Sequence, residues 1–96
     1  MTEEMILEAR EDIQNRWPEN AEAVISACDA ADKLNADSAE FLKHCFAAGG
    51  NWSAMFLSGI KALWPEVYEA IPADMGSNSF IPLCSVLILC GVDTSK

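Results

Sequence analysis

The chain has 96 residues, is 51% hydrophobic and carries a formal net charge of −9. This length suits a single domain over residues 1–96, and the apolar content is sufficient for a core without disulfide or metal support. The negative charge argues against direct contact with nucleic acids or anionic membranes, because such partners require clustered Lys and Arg, and the six basic residues are scattered.

The first predicted helix runs from about Thr2 to about Arg16, since apolar residues recur there at helical spacing. Trp17-Pro18-Glu19 ends it, because proline favours the first turn of a new helix and disfavours helical geometry in the residue before it. The second predicted helix has an apolar stripe from Ala21 to Ala31.

A turn is predicted at residues 34–36, followed by a third helix that opens on a capping-box pattern from Asp37 to Glu40. Gly49-Gly50 ends this helix, because glycine enters the left-handed conformation without strain, and Asn51 is expected to cap the fourth. The apolar stripes of the two helices are Phe41, Leu42, Cys45 and Phe46, and then Trp52, Met55, Phe56, Ile60 and Leu63.

The fourth helix is expected to end at Trp64-Pro65, with a short helix to about Ala70 and a loop over residues 73–78. The apolar segment Phe80 to Cys90 suits either a helix or a buried strand. We favour a helix, because Pro82 is tolerated in a first turn and a lone strand would have no partner. The predicted fold is all-α, a compact bundle of five to six short helices with a buried apolar C-terminal helix.

Two segments that begin with Trp-Pro-Glu resemble each other. Residues 17–24 and 64–71 are identical at five of eight positions, at an offset of 47. Duplication of a three-helix unit would produce this pattern and would give the bundle two similar halves. The alternative is that the sequence arose twice, since Pro-Glu is a favourable opening for any helix.

No residue pattern indicates catalysis, a cofactor or a metal, and we predict none of the three. The segment from Asp29 to Glu40 partly resembles a calcium loop, but Leu34 stands where the sharp turn needs glycine. His44 and Cys45 are adjacent on a helix and point about 100° apart, which does not suit a nucleophile and its base. The cysteine spacing matches neither a redox pair nor a zinc site, so all four are predicted to be core residues: Cys28, Cys45, Cys84 and Cys90.

The favoured function is that of a small acidic protein–protein interaction module without catalytic activity, which binds a protein partner or associates with itself as a homo-oligomer. Aromatic side chains dominate interface energetics when they are exposed. The candidate partner-binding residues are therefore Trp17, Trp64 and Tyr68, of which Tyr68 is expected to be the most accessible.

Two alternatives stay open. Residues 1–40 contain eleven acidic and three basic residues, so the chain could mimic nucleic acid and inhibit a DNA- or RNA-binding enzyme. The candidate contacts are Glu4, Glu8, Glu11 and Asp12 of the first helix. In the other alternative, the bundle binds a small ligand between its helices, near Cys84, Cys90 or His44.

The sequence also suggests a location. Its start is acidic where a signal peptide would be basic, and the dense apolar segment Phe80 to Val92 is too short to cross about 30 Å of hydrocarbon. We therefore expect a soluble protein of the reducing cytoplasm.

Overall fold

A computed structural model describes residues 2–72 and 80–93 of the chain. Within these residues the fold consists of six α-helices and one turn of 3-10 helix, Lys33–Asn35, and contains no strand. The predicted all-α bundle is confirmed. The loop predicted at residues 73–78 lies outside the described residues. The helices are α1 (Glu3–Arg16), α2 (Ala21–Asp29), α3 (Ser38–Ala48), α4 (Trp52–Leu63), α5 (Pro65–Ala70) and α6 (Phe80–Leu89).

Polar side chains cap three helices at the positions expected from the sequence. Thr2 accepts a hydrogen bond from a backbone N–H of the first turn of α1 at 3.2 Å, Asp37 does so for α3 at 2.8 Å and Asn51 for α4 at 2.9 Å. Only half of the capping box forms. Its second half would be a hydrogen bond from the Asp37 N–H to the Glu40 side chain, but Glu40 lies 3.4 Å from His44. The Asp37 N–H donates to the carbonyl of Asn35 instead. The caps explain where the three helices begin.

The two Trp-Pro-Glu segments adopt the same corner. Trp17 has φ −131° and ψ 64°, and Trp64 has φ −138° and ψ 74°. Each tryptophan N–H closes the preceding helix, and each tryptophan carbonyl accepts an N–H three residues later at 3.0 Å. The similarity ends after the corner, since α2 has nine residues and α5 has six.

Helix α6 lies at the centre of the fold, as expected for a helix that is apolar on nearly every side. It packs against α1, α2 and α4, while α3 packs against α4. Leu83, Val86 and Leu87 are buried, and they join side chains of all the other helices in one hydrophobic cluster. No helix in the described residues is long and apolar enough to cross a membrane.

The connection between α2 and α3 is fixed by hydrogen bonds to other elements. Helix α2 ends at Asp29, two residues before the end of its predicted apolar stripe, and the 3-10 turn follows. The carbonyl of Asp32 accepts the indole N–H of Trp64 at 3.0 Å, and the Asn35 amide donates to the carbonyl of Leu63 at 3.0 Å. These bonds bind the connection to the end of α4.

Candidate functional site

The structure places the two tryptophans of the predicted partner-binding set in the core. Trp17 is 7% exposed and Trp64 is 2% exposed, and the Trp64 indole already donates its N–H within the chain. Their rings anchor the two corners from inside and offer no accessible surface to a partner in this conformation. We therefore leave them out of the candidate site.

Tyr68 is half-buried at the edge of α5. The ammonium group of Lys61 lies 5.3 Å from the centre of its ring, a distance at which a cation is attracted to the face of an aromatic ring. Tyr68 is therefore more accessible than the two tryptophans, as expected, but one of its faces is already occupied.

The acidic residues of α1 divide into two groups. Glu4, Glu8 and Glu11 are exposed. Asp12 is partly buried, accepts a hydrogen bond from the Ser85 hydroxyl at 2.9 Å and pairs with Arg16 at 3.4 Å. Asp12 thus joins α1 to α6, and of the four predicted contacts only the three glutamates are exposed to solvent.

An exposed aromatic surface lies on the hairpin of α3 and α4, within the apolar stripes that the sequence predicted for these two helices. Leu42 is 39% exposed, Phe46 is 63% exposed and Trp52 is 52% exposed. They stay exposed because the apolar stripes of α3 and α4 are wider than the area that the two helices and α6 cover. We call these three residues the hairpin surface.

The rings of the hairpin surface continue into the core. The ring centres of Phe46 and Trp52 are 6.3 Å apart at an interplanar angle of 67°, and those of Trp52 and Phe56 are 6.0 Å apart at 79°. Phe56 in turn meets the buried Phe41 edge to face at 5.4 Å. This geometry is favourable for aromatic pairs, so the buried rings hold Trp52 in place.

A mostly apolar cleft of about 300 Å³ adjoins the hairpin surface. It lies between α3, α4 and the end of α6, and Leu42 and Phe56 link it to the exposed rings. The residues that line it are Ser38, Phe41, Leu42, Phe56, Leu87, Val92 and Asp93.

A second depression, of about 610 Å³, lies between α1, the 3-10 turn and α6. Its charged side chains are engaged: Arg10 pairs with Asp29 at 2.7 Å, and the Lys33 ammonium donates to two carbonyls. The depression also has no aromatic side chain among its lining residues, so it is a weaker candidate for binding than the cleft, which adjoins exposed aromatic rings.

The four cysteines lie in the hydrophobic core or pack against it. Cys28, Cys45 and Cys90 are buried and Cys84 is partly buried, which agrees with the prediction of core residues. A hydrogen bond from Cys90 lowers the pKa of Cys28, and the same bond together with burial raises the pKa of Cys90. Burial raises the pKa of Cys45 and Cys84, which disfavours the reactive thiolate.

Metal ligands are not clustered in the part of the chain that the structure describes: no group of three or more His, Cys, Asp or Glu side chains there could hold an ion. The acids of the calcium-like segment have structural partners instead, since Asp29 pairs with Arg10 and Asp37 caps α3. The segment folds as a 3-10 turn and a helix start.

Comparison of the chain with models of protein families, with curated proteins and with solved structures found no match. Function is therefore inferred from the surface of this chain. The hairpin surface and the adjoining cleft together form the candidate site, because they combine exposed aromatic side chains with a concave apolar wall.

Proposed function

We propose that this chain is a small acidic protein–protein interaction module without catalytic activity, and that a partner docks on the hairpin surface. The observation that carries the proposal is the exposure of Phe46 and Trp52 beside an apolar cleft. Large aromatic side chains next to a pocket are typical of the residues that contribute most to binding. Full burial of an exposed ring contributes about 1.5–3 kcal/mol, and the exposed parts of Phe46 and Trp52, 63% and 52%, would contribute a share of that.

The fixed geometry of the rings also supports binding. Trp52 packs against Phe46 on one side and Phe56 on the other, and Gly49 and Gly50, with φ of 71° and 93°, form the tight hairpin that brings α3 and α4 together. Because these contacts restrict the rings before a partner arrives, less conformational entropy is lost on binding.

Mimicry of nucleic acid is the second candidate, supported by the exposed Glu4, Glu8 and Glu11. It is the weaker one, since Asp12 of the same helix is bound to Ser85 and Arg16. Binding of a small ligand has less support still, because the cleft is open and lies at the lower end of the usual volume range for such sites, about 300–1,000 Å³.

Site-specific photo-crosslinking in the host cell tests the interaction. A photoreactive phenylalanine analogue replaces Phe46 in one variant and Leu7 in another, the latter being a matched control on α1 with 62% exposure against 63%. We expect defined protein adducts from position 46 and none of the same mass from position 7. Equal adducts from both positions, or no adduct from position 46, would overturn the proposal.

A further inference from the structure

We infer that the hairpin surface and its cleft receive a basic amphipathic helix, whose apolar side chains enter the cleft and whose Lys or Arg residues face the acidic rim. The inference rests on the proposed interaction function and adds the chemistry of the partner. Charge, wall geometry and secondary structure each support it.

The surroundings of the cleft are acidic. Asp93 lines the cleft, and Asp37 lies one residue before the lining residue Ser38. Lys43 is the one residue of α3 with a permanent positive charge. Complementary charge accelerates association and disfavours partners of the same sign, so a cationic partner suits this rim.

The same charge disfavours a second copy of the chain as the occupant. Each copy carries a formal charge of −9, and a dimer through this face would bring two acidic surfaces together. Repulsion between like charges opposes such an assembly.

The wall of the cleft matches a helix in length and pattern. Ser38 and Leu42 line the cleft, and Phe46 of the hairpin surface continues their four-residue spacing along α3, which gives a strip about 12 Å long. Phe41 of the same helix also lines the cleft, as do Leu87 and Val92 from α6 and the residues after it. Two turns of an incoming helix would fit along the strip with apolar residues at three- and four-residue spacing.

An extended peptide suits the site less well. Peptides that bind as an added strand pair with the open edge of a sheet, and residues 2–72 and 80–93 contain no strand. The helix-in-groove mode is the one that uses the elements that this fold provides.

Two synthetic peptides of about 18 residues, or about five helical turns, serve as probes. Both carry leucine at the same positions of one face, and the polar face is lysine in one and glutamate in the other. We expect the Leu/Lys peptide to bind the full chain about tenfold or more tightly than the Leu/Glu peptide, with an affinity that falls as NaCl rises. Isothermal titration calorimetry measures both affinities.

Matched variants locate the site. The double variant Phe46→Ala, Trp52→Ala lacks two exposed rings and should weaken binding of the Leu/Lys peptide by about tenfold or more. The control double variant Leu7→Ala, Leu34→Ala should leave the affinity within about twofold.

The double variant Asp37→Asn, Asp93→Asn tests the charges. It should reduce both the affinity for the Leu/Lys peptide and the salt dependence of that affinity, while asparagine keeps the cap of α3. Circular dichroism checks that each variant is folded.

Equal binding of the two peptides, or equal binding to wild type and to the Phe46→Ala, Trp52→Ala variant, would overturn the inference. A dimer in sedimentation that dissociates on Trp52→Ala would also overturn it, since a second copy would then fill the site, but the interaction function would stand. The absence of a photo-crosslink from position 46 would instead contradict the proposed interaction function itself.

Discussion

Gly59 sets how closely α3 and α4 approach each other. A Cβ at this position would lie 2.6 Å from Cε2 of Phe41 and 3.1 Å from Sγ of Cys45. The Phe41 ring cannot move away easily, because it packs edge to face on Phe56 and stacks on Trp64 at 6.4 Å. A glycine inside a helix costs about 0.5–1 kcal/mol relative to alanine, and the tight packing accounts for its presence.

We expect Gly59→Ala to lower the free energy of unfolding by about 1–3 kcal/mol, because the strain of an overpacked core exceeds the gain in helix propensity. Urea unfolding followed by circular dichroism measures the change. Ala62→Gly, on the exposed side of the same helix, is the control and should cost only the propensity difference, about 1 kcal/mol. A Gly59→Ala variant as stable as wild type would show that α3 and α4 can separate without cost.

The sequence alone did not indicate which apolar residues would be left uncovered. Helical spacing placed Phe41, Cys45 and Ile60, which are buried, in the same apolar stripes as Phe46 and Trp52, which are exposed. Whether a residue at the edge of such a stripe is buried depends on the width of the helix that packs over it, which is a property of tertiary structure. The hairpin surface was missed for this reason, whereas the tryptophan corners could be recognised from local sequence.

At the level of elements, Lys33 links the ends of two helices. Its ammonium group donates to the carbonyl of Cys28 at 2.7 Å, near the end of α2, and to the carbonyl of Leu89 at 2.6 Å, at the end of α6. The last carbonyls of a helix lack partners within the helix and carry partial negative charge, so a cation there is favourable. Lys33 therefore closes two helices with one side chain.

Replacement of Lys33 by methionine should lower the free energy of unfolding by about 1–2 kcal/mol, because methionine keeps the apolar stem but donates no hydrogen bond. Hydrogen exchange should show the loss of protection concentrated at the ends of α2 and α6. Lys43→Met, on the exposed face of α3, is the control and should change stability by less than about 0.5 kcal/mol. Equal effects of the two substitutions would argue against a specific role of Lys33.

The helix ends were largely predictable because their signals are local. Thr2, Asp37 and Asn51 cap the helices that they were expected to cap. At the end of α6, Gly91 has φ 98° and its N–H donates to Ile88, which is the C-terminal geometry that favours glycine. The early end of α2 was not predictable, since the bond from Lys33 to Leu89 joins residues 56 positions apart.

For the molecule as a whole, negative charge exceeds positive charge by nine. The described ion pairs with a permanent cation include Arg10 with Asp29 and Arg16 with Asp12, which leaves exposed acids such as Glu4, Glu8 and Glu11 on α1. Excess charge of one sign destabilises a compact state through self-repulsion. The sequence predicted this imbalance, and the fold concentrates part of it on one helix.

We expect the midpoint of thermal unfolding to rise by a few degrees between about 10 mM and about 0.3 M NaCl, because salt screens repulsion between exposed carboxylates. The variant with Glu4, Glu8 and Glu11 all changed to Gln should be more stable at low salt and should respond less to added salt. Differential scanning calorimetry measures both effects.

The control for this charge effect is Lys43→Gln, which makes the net charge more negative and should shift the midpoint downwards at low salt.

The variant with Glu4, Glu8 and Glu11 changed to Gln also separates the two candidate functions, since it removes the acidic face of α1 and leaves the hairpin surface unchanged. If it keeps the crosslink from position 46, the acids of α1 are not the binding site. If the midpoint of thermal unfolding does not change with salt in wild type, in the triple Glu→Gln variant or in Lys43→Gln, the excess charge is too widely spread to affect stability.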